Sequence, residues 1–235
     1  MVQVASEMSE RFPRRAEKAR RTRLALIAAA TELFAERGYA GTTIEAIAQK
    51  AGVARPTVFT SMPGGKPQLL KEARDVAIAG DDEPVPIPQR TWYVQTLAQT
   101  DPVVLVRMQS RNNRRILKRV AALEIVIRAI AADPGLAELA AEARRQRRFG
   151  AATITGRLHE LGALRPGLTH EAAGDIYYAL ASPEVFLLLT RDQGWTMAAY
   201  EEWLADQLIY ALLGRDGNAS AEPAEPPAMT PRRGR

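Results

Sequence analysis

The side chains with most to offer chemically are 32 lysines and arginines, which give charge-assisted hydrogen bonds to anions and not bond-making chemistry. Bond-making groups are scarce. Cysteine is absent, which excludes thiol nucleophiles, disulfides, thiolate zinc sites and iron–sulfur clusters. His159 and His170 are the only histidines, too few for most metal or acid–base chemistry. With no phosphate loop, metal-ligand cluster or Ser-His-Asp pattern, the sequence reads as a non-enzyme without metal or cofactor. The cations are unevenly placed. Residues 1–74 hold 13 Lys and Arg against 7 Asp and Glu, net +6, and residues 75–235 hold 19 against 20, net −1. A basic module on a neutral body suits a polyanion partner, and a solvated basic face gives the same count.

Smaller cationic groups lie further in. Met108, Arg111, Asn112 and Arg115 fall within two turns of an otherwise apolar helical stretch. They read either as the lining of a pocket for a polar or anionic effector or as the wet edge of an amphipathic helix. Arg144, Arg145, Arg147 and Arg148 read as a solvated face.

The elements that must position these groups are all helical. At 46 % hydrophobic, 25 % charged and 6 % aromatic, the composition is that of an ordinary globular protein. Its apolar residues recur at spacings of three and four with no strand alternation, so the fold class is all-α. Residues 1–16 show no apolar period and are expected to be a flexible basic arm, whose Arg14, Arg15, Lys18, Arg20, Arg21 and Arg23, running on into the next stretch, attract DNA or remain solvated. A first helix is expected over 17–37, closed by Gly38. Thr42, three residues ahead of Glu45, predicts a capping box opening a short second helix, which Gly52 ends. Pro56 opens a third short helix to Met62, and a fourth follows from Lys66. Prolines at 84, 86 and 88 mark a linker over 80–90. A larger helical domain is predicted over 91–214, with Pro183 bending one helix, and a disordered tail over 215–235. No stretch has the apolar length of a membrane span or the pattern of a secretory leader, so a cytoplasmic location without membrane contact is expected.

Two short helices joined by a glycine-containing turn, behind a longer helix, make a helix-turn-helix pattern within residues 17–79. A plain helical hairpin has the same spacing. Over residues 24–70, however, the chain resembles the TetR family of bacterial transcriptional repressors. The likeness rests on Ala29-Ala30-Thr31-Glu32-Leu33-Phe34-Ala35-Glu36-Arg37-Gly38-Tyr39, Gly41-Thr42-Thr43-Ile44, Ile47-Ala48, Ala51-Gly52-Val53, Thr57-Val58-Phe59 and Lys66-Pro67-Gln68-Leu69-Leu70. Three features depart from the family pattern: Ala54 stands at the usual capping position, Met62 replaces an aromatic, and one residue is added before Lys66.

The resemblance implies a homodimer that binds a palindromic double-stranded DNA operator and releases it when a small molecule binds the C-terminal domain. Bound to DNA, it would be nucleoid-associated. The recognition helix would contribute Arg55, Pro56, Thr57, Phe59 and Thr60, with Arg55 on a guanine edge and the threonines on thymine methyls or phosphates. Thr43 and Lys66 would hold phosphates. By position, dimerisation would fall to the last two long helices, through Ile176, Tyr177 and Leu180 on one and Tyr200, Trp203, Leu204 and Leu208 on the other, although a monomer's own core gives the same stripes. A dimeric DNA-binding protein without an effector, acting constitutively or through a protein partner, is the alternative.

Overall fold

The computed structural model describes residues 2–214, with side chains from residue 15 onward. The expected tail over 215–235 lies outside the described residues. Among these, every regular element is helical, none is long and apolar enough to cross a membrane, and no group of three or more acidic, His or Cys side chains is placed to hold a metal ion. The chain forms two compact units, 1–85 with 116–146, and 86–115 with the residues from 147 on. The division falls inside the Pro-rich segment and again inside two helices.

The first unit begins with α1 (Val2–Arg37), α2 (Ile44–Lys50), α3 (Arg55–Ser61) and α4 (Gly65–Ala79). The helix predicted from residue 17 starts at Val2, so the segment expected as an arm has a helical backbone. Extending an existing helix adds one hydrogen bond per residue fixed, and needs no apolar stripe to guide it. Leu26, Ile27, Ala30, Leu33 and Phe34 form the buried face of α1. Gly38 ends it with φ 69°, its N–H donating to the Phe34 carbonyl at 3.0 Å, the left-handed turn that glycine takes without strain. A Cβ at Gly41 would lie 2.5 Å from the Arg37 carbonyl oxygen, so the backbone turns too tightly there for any side chain.

The cap falls one residue later than expected, as a single threonine cap and not a capping box. Thr43 is the N-cap of α2 and accepts from the Ala46 N–H at 3.1 Å. Thr42 is buried, and its hydroxyl lies 3.0 and 2.8 Å from the Leu33 and Gly38 carbonyls at the end of α1. Two adjacent threonines are equivalent by local pattern, and the unfilled carbonyls of α1 decide which one turns inward.

α6 (Pro102–Ala129) and α7 (Ala137–Glu160) contribute residues 116–146 to this unit. Arg119 donates to the Ala77 and Ile78 carbonyls at 2.7 and 3.1 Å, satisfying the end of α4. Beside it, Arg74 of α4 is 3 % exposed. Its Nε donates to Glu124 Oε1 at 2.7 Å and its Nη1 to Gln146 Oε1 at 2.6 Å. At the surface, Arg20 and Arg23 of α1 pair with Asp82 and Glu72 at 2.7 and 2.8 Å, within the first unit.

The second unit comprises α5 (Thr91–Leu97), the start of α6, the end of α7, α8 (His170–Leu180), α9 (Pro183–Leu187) and α10 (Met197–Leu208). Hydroxyls of Thr169, Ser182 and Thr196 cap α8, α9 and α10. Pro183 therefore does not bend a continuous helix. It sits at the first position of a new one behind the Ser182 cap, where its missing N–H has no partner to lose. α9 and α10 run on into π-helical turns at Leu188–Asp192 and Ile209–Leu213.

Because the Arg74–Glu124 pair is buried, removing one member leaves an uncompensated charge. Arg74→Met is expected to lower unfolding free energy by about 3–5 kcal/mol. Adding Glu124→Leu is expected to restore most of that loss, as read by urea denaturation of both variants.

Candidate nucleic-acid interface

α3 is seven residues long and has no side-chain cap on its first turn, because Ala54 stands at the N-cap and only Pro56 pre-sets the backbone. A helix this short does not hold itself. Val58 and Met62 are fully buried and fasten it from behind. Its other side carries Arg55, Pro56 and Thr60, all exposed, half-buried Thr57, and Phe59 at 43 % exposure.

Arg55 is held before any nucleic acid arrives. Its Nε lies 2.6 Å from Glu45 Oε1, and its guanidinium sits 5.6 Å from the centre of the Phe59 ring. Both members of the ion pair are more than half exposed, so the pair adds little stability. What it does is orient the guanidinium and set a carboxylate beside it. Thr60 Oγ1 donates to the Pro56 carbonyl at 3.2 Å, which leaves its methyl free for apolar contact. Thr43 caps α2 with its hydroxyl and is exposed at the same end.

Lys66 has partners within the fold. Its ammonium donates to the Tyr39 and Thr42 carbonyls at 2.8 and 3.0 Å and stands 4.0 Å from the centre of the Tyr39 ring. Burial holds its pKa below the usual lysine range. The Tyr39 ring in turn stacks on Phe34 at 5.8 Å. Lys66 therefore clamps the start of α4 to the turn from α1 to α2. Gln68 assists by accepting from the Gly64 N–H at 2.8 Å across the added residue. Neither Tyr39 nor Thr42 was expected at the site, and only their place in the α1–α2 turn hinted at it.

Residues 26–73 match the family of bacterial regulatory proteins, tetR family. The chain carries a TetR-family helix-turn-helix domain. The chain's fold is also TetR-like. SmeT, the repressor of the Stenotrophomonas maltophilia multidrug efflux pump SmeDEF, matches with TM-score 0.59 at 18 % identity, over 89 % of this chain and 97 % of that one. The transcriptional regulator FadR from Bacillus subtilis, in complex with stearoyl-CoA, matches with TM-score 0.60 at 18 % identity, over 80 % and 98 %. The ketosteroid regulator KstR2 of Mycobacterium tuberculosis matches with TM-score 0.57 at 16 % identity, over 81 % and 94 %. No curated protein matches the sequence.

Beyond the TetR-type domain, the expected effector residues do not converge. Arg111 is exposed and pairs with Glu201 at 3.3 Å, while Asn112 is buried and donates to Thr96 Oγ1 at 3.0 Å. Met108 is half-buried and Arg115 exposed. On a helix of 3.6 residues per turn, 111 and 112 look in different directions, and close sequence spacing hid this. The dimer set divides as well. Tyr177, Tyr200, Leu204 and Leu208 are buried within the chain's own second unit, whereas Ile176, Leu180 and Trp203 are half-buried. An apolar stripe has one appearance whether a partner or the chain itself covers it, so the four buried residues are core.

The clamp separates two roles for Lys66. Lys66→Met is expected to cost about 1–2 kcal/mol of stability through the two unfilled carbonyls. The slope of DNA affinity against salt is expected to stay the same, where a direct phosphate contact would reduce it by about one. Denaturation and salt titration of the variant measure both.

Proposed function

We propose that the chain is a homodimeric transcriptional repressor that reads a palindromic DNA operator with α3 and leaves it when a small molecule binds the second unit. The observation that carries this is α3 itself, anchored by Val58 and Met62 and turning Arg55, Thr57, Phe59 and Thr60 outward. Such a helix offers a guanidinium for a guanine edge and methyl and ring carbons for thymine methyls. The surplus positive charge of residues 1–74 supplies attraction without sequence preference.

Two-fold pairing follows from the operator. Half-sites about 34 Å apart on one face of the duplex need two recognition helices related by symmetry. The apolar surface left for a partner includes Leu188 and Tyr210, about half exposed, with Ile176, Leu180 and Trp203. Ligand control is supported by the shared fold, since FadR is solved with stearoyl-CoA and SmeT with triclosan. A ligand acts by binding better to a conformer whose recognition helices no longer match both half-sites.

Selection of duplexes from a random pool at near-physiological salt tests the reading. The expected outcome is an enriched palindrome, and Arg55→Ala is expected to lower discrimination between it and a scrambled duplex by roughly 10- to 100-fold. Salt-sensitive binding without enrichment, or Arg55→Ala with full discrimination, would overturn it.

A further inference from the structure

The second unit contains a polar cluster that its own side chains leave incomplete. Gln109 and Asn113, one turn apart on α6, donate from their amide nitrogens to the Tyr177 hydroxyl oxygen of α8 at 2.9 and 2.7 Å. Those two bonds occupy the acceptor capacity of the hydroxyl and leave its proton to find a partner elsewhere. Gln109 Oε1, an acceptor, is buried with no hydrogen bond, and so is the hydroxyl of Tyr200 on α10. Ser110, on the same turn of α6, has a buried and unpartnered Oγ. Gln109, Tyr177 and Tyr200 are 8 %, 6 % and 0 % exposed. Turning the Gln109 amide over would let its oxygen accept from Tyr177, at the cost of burying an unpaired NH2, so no arrangement of these groups closes the set.

The cluster is uncharged. Burial pushes the Tyr177 phenol up to about 12 against the two amide hydrogen bonds, and burial with the neighbouring Tyr177 pushes the Tyr200 phenol up as well. Both therefore stay neutral donors at ordinary pH. Their surroundings are aromatic, with Phe186 edge-on to Tyr200 at 4.9 Å and Trp203 at 6.1 Å. Arg147 lies 4.3 Å over the Tyr178 ring, and Arg111 and Arg114 pair with Glu201. The helices that carry the two tyrosines are interrupted close by, α8 by the break at Ser182 and α10 by the π-helical turn after Leu208. Such interruptions recur at functional sites.

Unfilled donors and acceptors inside a protein are costly and persist where a function needs them. We propose that Gln109, Tyr177 and Tyr200 are the polar end of a binding site for an uncharged, largely apolar molecule bearing a hydroxyl group. The ligand hydroxyl donates to Gln109 Oε1 and accepts from a tyrosine hydroxyl. An anion is disfavoured, because the groups of the cluster itself are neutral and bring no counter-charge. The assignment rests on the small-molecule reading of the second unit and names its ligand class and residues.

Thermal unfolding of the full-length protein without DNA tests this with phenol, toluene and benzoate as probes. Phenol is expected to raise the melting temperature by about 3–6 °C at a tenfold excess over its dissociation constant, and toluene and benzoate are expected to have no comparable effect. Gln109→Leu and Tyr177→Phe are each expected to abolish the phenol shift. Gln109→Leu, which removes an unfilled buried acceptor, is expected to melt no lower than the parent. No shift with phenol, a benzoate shift of equal size, or a phenol shift that survives both substitutions would overturn the assignment. So would crystals grown with phenol in which ordered water alone partners Gln109 Oε1 and the tyrosine hydroxyls. Because the readout contains no DNA, it stands apart from the operator selection, and failure of either leaves the other interpretable.

Discussion

A recognition helix of two turns has too little surface to hold its own position, yet the distance from its side chains to a base edge must be fixed within a fraction of an ångström. In this protein the constraint falls on the turn between α1 and α2, and the Lys66 ammonium bears it. Two backbone carbonyls, from Tyr39 and Thr42, accept from that one group, and the Tyr39 ring covers it while stacking on Phe34. Thr42 closes the same turn from inside through Leu33 and Gly38. The start of α4 and the end of α1 are thereby tied at one point, and α3 lies in sequence between the tied ends. Its two buried anchors then suffice to orient it.

Helical periodicity made the element order legible, as did the glycine stops and the prolines at helix starts. The uncapped start of α3 followed directly from Ala54. Failures arose where two local solutions were equal and a distant group chose between them. Thr42 and Thr43 are one such case. The carbonyl clamp of Lys66 was hidden in the same way, since nothing within four residues of it announces the Tyr39 and Thr42 carbonyls. Pro183 was a different kind of miss, because Ser182, Pro183 and Glu184 together are a helix-start signal that the apolar run on either side concealed. Tyr177 and Gln109 lie 68 residues apart, and no spacing rule joins them.

The cations show how a partner's place in the fold changes the meaning of charge. Arg20 and Arg23 looked like part of one basic run, but their partners Asp82 and Glu72 turn them into braces of the first unit. Arg55 has an equally close carboxylate in Glu45, and both groups are in water, where such a pair is nearly neutral in free energy. Composition counts these three arginines alike.

Polar groups inside the two units obey opposite rules. Around Arg74 every strong donor meets an acceptor, Glu124 or Gln146, and full pairing of a buried charge leaves no room for exchange. Around Tyr177 the groups are neutral, amide and phenol, and the set stays open by at least one acceptor and one donor. A neutral open set can be completed or left incomplete within a few kcal/mol, whereas an open charged set would unfold the unit. That difference suits the first interior to a fixed scaffold and the second to a site whose occupancy changes.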